Sequence, residues 1–241
     1  MKAVLSTLAA LAFMAVPALA DPTYNWSGFY LGAQAGYAWG NATSHDDPKD
    51  WGTDPKFIGP FDFNLSGAVG GAHAGYNFVV GPLIIGPEVD FGYMDLAGSR
   101  KTDSSNPTKY QTLNVDGGMY ALAGGRVGFA WDRTLFYGKG GWVWYDTDVT
   151  QTTTNPGYKT NGSGALNGWA YGGGIEQALG HGWSVKTEWL HFNFDTANGD
   201  QTSVSDPPIG YVYKNWTESG ADTVQVGFSY KLGGDDLGPL K

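Results

Sequence analysis

Eight residues of this chain have the side chains to do ionic chemistry within short alternating segments: Glu88, Asp90, Arg126, Lys139, Glu176, Lys186, Glu188 and Lys231. Four are acids and four are bases, and in every segment they share the face that carries the glycines. Alternate residues of a strand point the same way. A balanced set of charges among small residues suits a closed interior, because unpaired buried charge is costly and paired charge is tolerable. The chemistry expected is therefore electrostatic. Glu88, Arg126, Lys139, Glu176 and Glu188 fall at similar heights on consecutive segments, with Asp90 and Lys186 beside them, so the spacing predicts a belt of ion pairs across a lumen.

Catalysis and metal binding find less support. His45, His73, His181 and His191 are scattered, with no H-x-x-x-H or H-x-x-E-H spacing, and His73 reads as an interior hydrogen-bonding residue. A hydrolase acting on membrane lipid would need serine and histidine together on the outer wall with a carboxylate to orient the histidine. His191 is followed two positions later by Asn193, not by a nucleophile. The acidic runs at Asp46 to Asp50 and Asp195 to Asp200 do not fit a calcium loop. No catalytic residue, metal ligand or cofactor site is expected.

The elements that must position the charges are strands. Gly28 to Asn41 reads GFYLGAQAGYAWGN, with Phe29, Leu31, Ala33, Ala35, Tyr37 and Trp39 on one face and Gly28, Tyr30, Gly32, Gln34 and Gly36 on the other. The same alternation returns at Ala68 to Phe78, Leu83 to Tyr93, Met119 to Trp131, Phe136 to Trp144, Trp169 to Glu176, Trp183 to Trp189 and Val224 to Leu232. That predicts eight strands of about the 9 to 11 residues that a tilted membrane strand requires. Short turns near Val80-Gly81, Asp132-Arg133 and Gly180-His181 alternate with long polar connections near Ala42 to Asp62, Ala97 to Gln111, Asp146 to Ala165 and Asp195 to Ala221. Short turns on one side and long loops on the other are the arrangement of outer-membrane barrels.

A soluble barrel of the lipocalin kind would point its apolar face inward. Here the ionised residues all share the other face, and a Lys or Arg on the lipid side would cost about 2 to 4 kcal/mol at mid-depth. The oily face is therefore assigned to lipid. Tyr37, Trp39, Trp131, Trp142, Trp144, Trp169, Trp183, Trp189, Phe228 and Tyr230 are the candidates for an aromatic girdle. Val143, Leu190 and Phe192 fall on the polar face near the outer rim and are read as filling a narrow mouth. Pro87 cannot donate to a closed ladder, so strand three is expected to begin later or to contain a bulge.

Lys2, the apolar run Val4 to Val16, Pro17 and Ala18-Leu19-Ala20 read as a secretory signal cleaved before Asp21. The remainder divides into a barrel domain over residues 21–232 and a short tail over 233–241. Among 241 residues there is no cysteine, which excludes disulfides and thiolate metal sites. The pairing of 38 glycines with 10 Trp, 14 Tyr and 12 Phe suits strands that are small on one side and aromatic on the other. A net charge of -9 argues against nucleic acid as a partner.

Asn25-Trp26-Ser27-Gly28-Phe29-Tyr30 with Gly36-Tyr37 resembles the opening strand of the small outer-membrane β-barrel proteins of Gram-negative bacteria, the opacity-type and immunogenic porin-like proteins. GAHAGYN at Gly71 to Asn77, Gly124 to Gly128, Tyr137 with Gly140-Gly141, Gly174-Ile175-Glu176 and TVQVGFSYKL at Thr223 to Leu232 resemble later strands of that family in the right order. The resemblance implies an all-β, eight-stranded antiparallel up-and-down transmembrane barrel in the outer membrane, with a structural or surface role and no catalytic residues to carry over. The partners expected are outer-membrane lipid and lipopolysaccharide, the periplasmic chaperones and barrel-assembly machinery, and an unidentified extracellular ligand. The chain departs from the family in ending beyond Leu232 instead of at an aromatic residue. Eight strands leave a lumen just wide enough for side chains, so little or no conductance is expected. The competing expectation is a ligand-binding or adhesive role for the loops.

Overall fold

In the computed structural model the described residues are 24–46, 61–102, 111–153, 159–203 and 212–233. The signal segment and all but the first residue of the tail lie outside them. The ordered elements are ten strands: β1 (Gly28–Asp46), β2 (Phe61–Val80), β3 (Leu83–Met94), β4 (Gly98–Thr102), β5 (Gln111–Asp116), β6 (Gly118–Trp131), β7 (Thr134–Thr153), β8 (Lys159–Gly180), β9 (Trp183–Ser203) and β10 (Val212–Lys231). β4 continues the line of β3, and β5 leads into β6, so the ten strands make eight staves. Each stave pairs antiparallel with its neighbours, and β1 closes on β10 from Tyr30↔Lys231 to Asp46↔Asn215. No ladder edge is left open around the barrel, which is what a non-aqueous surround demands of strands.

The break between β3 and β4 is local. Asp95 and Ala97 keep the ladder to β2 through Asp95 N to Ala68 O at 2.8 Å and Ser66 N to Ala97 O at 3.1 Å. Leu96 turns inward and is buried. The turn between β8 and β9 places both His181 and Gly182 at positive φ, 54° and 81°, the backbone of a tight two-residue hairpin.

Two expectations are corrected. The long connections contain strand: β1 runs to Asp46, β7 to Thr153 and β9 to Ser203, while β2 starts at Phe61, β8 at Lys159 and β10 at Val212. A stave of 20 residues such as β7 tilted by roughly 40° spans about 50 Å, twice the ~25 Å apolar band of such barrels. Above the band both faces of a strand meet water or polar side chains, so the alternation that marks a strand in sequence disappears. Pro87, in turn, lies inside an unbroken β3. Its ladder to β6 runs straight through Pro87↔Gly125. Toward β2 the pairing skips from Gly75↔Glu88 to Phe78↔Ile85 with no change of register. The missing N–H faces that gap, so neither a late start nor a bulge is needed.

The side chains divide as the parity of the strands dictates. Phe29, Leu31, Val89, Phe91, Val127, Phe129 and Phe228 are exposed on the outer wall, whereas the ionised strand residues are buried inside. Of the girdle candidates, Trp131, Trp183 and Tyr230 sit at the short-turn ends of their strands. Tyr37, Trp39, Trp142, Trp144, Trp169 and Trp189 sit toward the other end, and Phe228 lies between the two groups. Outward-facing Asn41, Asp95, Asp146 and Asn193 follow directly above, which marks where the oily band stops.

Candidate functional site: the lumen of the barrel

Counting upward from the short turns, the interior has three layers. The floor is Trp26, Ile84, Leu135, Tyr137 and Ala178, packed together and buried. Above it lies a charged layer. Above that, Met94, Leu122, Val143, Leu190 and Phe192 are each at most 1% exposed and belong to one apolar cluster. Val143, Leu190 and Phe192 thus lie inside the barrel as part of a plug.

The charged layer is built from five staves. Lys139 Nζ lies 2.8 Å from Glu88 Oε1, 2.7 Å from Asp90 Oδ2 and 3.5 Å from Glu188 Oε1. Arg126 reaches Glu176 at 2.9 Å and Glu88 at 3.4 Å through one nitrogen. Lys186 bridges Glu88 at 3.5 Å and Glu188 at 3.8 Å. Glu88 on β3 therefore meets Lys139 on β7 and Lys186 on β9, so the pairs cross the barrel and do not merely follow the wall.

Lys231 stands apart. Its Nζ donates to Asn25 O at 2.6 Å and lies 5.1 Å from the Tyr24 ring, at the short-turn end. Without it the central network has four carboxylates and three cations.

Neutral side chains that the sequence reading passed over complete the network. Tyr30 donates to Glu88 at 2.6 Å and Tyr137 donates to Glu188 at 2.8 Å. Gln34 donates to Asp90 at 3.0 Å, and Ser184 donates to Glu176. Arg126 Nε donates to Asn77 Oδ1 at 3.0 Å, and its guanidinium carbon lies 4.1 Å from the centre of the Tyr30 ring. The signal available in sequence was position: Tyr30, Gln34, Asn77, Tyr137 and Ser184 all share the glycine face. Two of those glycines make the tyrosines possible. A Cβ on Gly75 would stand 2.2 Å from Tyr30 Oη, and one on Gly174 would stand 2.7 Å from Tyr137 Oη.

The N-terminal segment seals the floor. Asn77 Nδ2 donates to Trp26 O at 3.0 Å, and the Tyr24 and Trp26 rings meet edge to face at 4.8 Å. His73 is buried beside Ser229, Nε2 to Oγ 2.9 Å. Gln34 Oε1, His73 Nδ1, Tyr120 Oη and Gln225 Oε1 are buried without a protein partner among the described residues. His181 is in a turn, the backbone of His45 is in β1, and His191 faces outward beside Asp222. Among the described residues no three His, Cys, Asp or Glu side chains gather as a metal site. What this interior can do chemically is tie the walls together through ion pairs and hydrogen bonds, with apolar layers above and below.

Comparison with known proteins agrees with this architecture. The chain is 28% identical over 222 residues to the 31 kDa outer-membrane immunogenic protein of Brucella melitensis biotype 1, covering 87% of this chain and 85% of that one. The protein of the same name from Brucella suis biovar 1 matches to the same extent. Among solved structures, the outer membrane protease OmpT from Escherichia coli superimposes with a TM-score of 0.53 at 8% identity, covering 88% of this chain and 99% of that chain, a likeness of fold alone. Residues 6–231 match the family described as the outer membrane protein beta-barrel domain. The chain belongs to that family and is an outer-membrane β-barrel protein.

Proposed function

We propose that this protein is a closed barrel that neither conducts solutes nor catalyses a reaction, with a structural role in the outer membrane and on its surface. One observation supports the reading: the Glu88, Lys139 and Glu188 ion pairs cross the lumen, and the buried side chains of Leu190 and Phe192 lie above them. Opening a path would require breaking buried ion pairs, at about 3 to 5 kcal/mol for each partner left unpaired. The names of the Brucella relatives, immunogenic outer-membrane proteins, support a surface role. In planar bilayers the purified protein is expected to give no stable single-channel current. A steady single-channel current from the purified, heat-modifiable barrel would overturn the reading.

A binding role for the outer end is favoured by the strands that project past the apolar band. Its test is deletion of residues 204–211, which leaves β9 and β10 whole, followed by a cell-surface adhesion assay. A drop in adhesion with normal surface display supports binding through that segment, and unchanged adhesion removes it.

A further inference from the structure

On the lipid-facing wall the ionisable side chains of His191 and Asp222 meet. His191 of β9 and Asp222 of β10 are cross-strand partners, with Nδ1 to Oδ1 3.0 Å and both side chains 29% exposed. Nδ1 and Oδ1 share one hydrogen, which leaves Nε2 of the ring to meet a ligand hydroxyl. The second oxygen of Asp222 is an acceptor. The wall below them is apolar: Trp189 precedes His191, and Val224 follows Asp222 in the direction of the short turns.

The pair lies within an aromatic belt. Asp222 is the register partner of Trp39, and His191 is the partner of Tyr171. The imidazole stands 5.3 Å from the Tyr171 ring and 6.4 Å from the Trp189 ring, nearly parallel to the latter at 30°. Belts of Trp and Tyr lie at the headgroup layer, and this belt is at the long-strand end of the barrel, the end that faces outward. The site therefore meets headgroups of the outer leaflet.

The chemistry selects among them. A ring nitrogen and a carboxylate oxygen beside exposed aromatic faces match a sugar, whose hydroxyls both donate and accept and whose C–H faces lie against rings. A phosphodiester offers only acceptors and negative charge, which a carboxylate oxygen matches poorly. We propose that His191 and Asp222, flanked by Trp39, Tyr171 and Trp189, form a binding site on the outer wall for a hydroxyl-bearing sugar of an outer-leaflet glycolipid.

The test uses the full mature protein folded in detergent, titrated with rough-type lipopolysaccharide and read by native mass spectrometry, alongside His191→Phe and Asp222→Leu. Apolar side chains on a lipid-facing wall do not oppose folding, and heat-modifiable migration checks that each variant is folded. The wild type is expected to retain one glycolipid per barrel and each variant to bind roughly tenfold more weakly, the loss of one hydrogen bond. Binding of phosphatidylglycerol in the same experiment is unchanged by either substitution. Equal glycolipid retention by all three proteins, or a parallel loss of phosphatidylglycerol, overturns the proposal. The measurement is independent of conductance, so it stands or falls separately from the closed-lumen reading.

Discussion

Lys139 and Glu88 come from staves 51 residues apart and meet at 2.8 Å in the middle of the barrel, each with a side chain at most 1% exposed. The contact ties together walls that share no ladder hydrogen bond, since β6 stands between β3 and β7. Removing one partner leaves the other charged and without solvent. Lys139→Met is therefore expected to destabilise the barrel by about 3 to 5 kcal/mol, because Asp90 loses its cation and Glu88 and Glu188 each lose one of theirs. Adding Glu88→Gln recovers part of that loss, since one carboxylate fewer then faces the two remaining cations. Urea unfolding in detergent, followed by tryptophan fluorescence, measures both, and a strictly additive double variant would count against the network.

Gly75 and Tyr30 make a second test. Gly75→Ala places a methyl group where the phenol oxygen of Tyr30 now sits, 2.2 Å away. Overpacking of this kind costs about 1 to 3 kcal/mol. Tyr30→Phe in the same chain removes the oxygen but leaves the ring carbon Cζ at 2.5 Å and Pro87 O at 2.6 Å, so the double variant is expected to recover only part of the loss.

Depth on the outer wall is testable by charge. Ala72 faces outward within the apolar band, whereas Asn41 faces outward above it. Ala72→Arg is expected to lower unfolding free energy by about 2 to 4 kcal/mol and Asn41→Arg by about 0 to 1 kcal/mol. Equal costs at the two positions would move the assigned boundary of the membrane.

Gln225 predicts the opposite sign. Its Oε1 is buried with no protein partner among the described residues, and its Nε2 reaches Thr223 Oγ only at 3.4 Å. Replacing a poorly paired polar group with an apolar one of similar shape is neutral or stabilising. Gln225→Met is expected to leave unchanged or to raise the temperature at which the heat-modifiable band shifts.

The barrel was legible because charge obeys parity. Arg126 flanked by Ala123, Val127 and Phe129, or Lys186 between Val185 and Thr187, can sit in an alternating strand only with the charge on one face. That face cannot be the lipid side. Strand length was not legible above Trp39 or Trp144, where the outward residues turn polar and periodicity ends. Nor was the partnership of His191 with Asp222, which depends on the register of β9 against β10 and not on any local pattern. The expected belt named the charges but missed Tyr30, Tyr137 and Gln34, because their place on the glycine face does not by itself tell which carboxylate each one reaches across the lumen.

The crossed ion pairs also govern which sequences lie one substitution away. A surface residue on β1 can change alone, but Lys139 touches Glu88, Asp90 and Glu188 together. Any single change there passes through an intermediate that is several kcal/mol less stable, a large fraction of a typical domain's margin. Descendants of this barrel are expected to exchange the interior as a block or not at all, while the projecting strands and their connections drift freely. The lumen is thus the slow clock of the molecule, and the projecting end is the fast one.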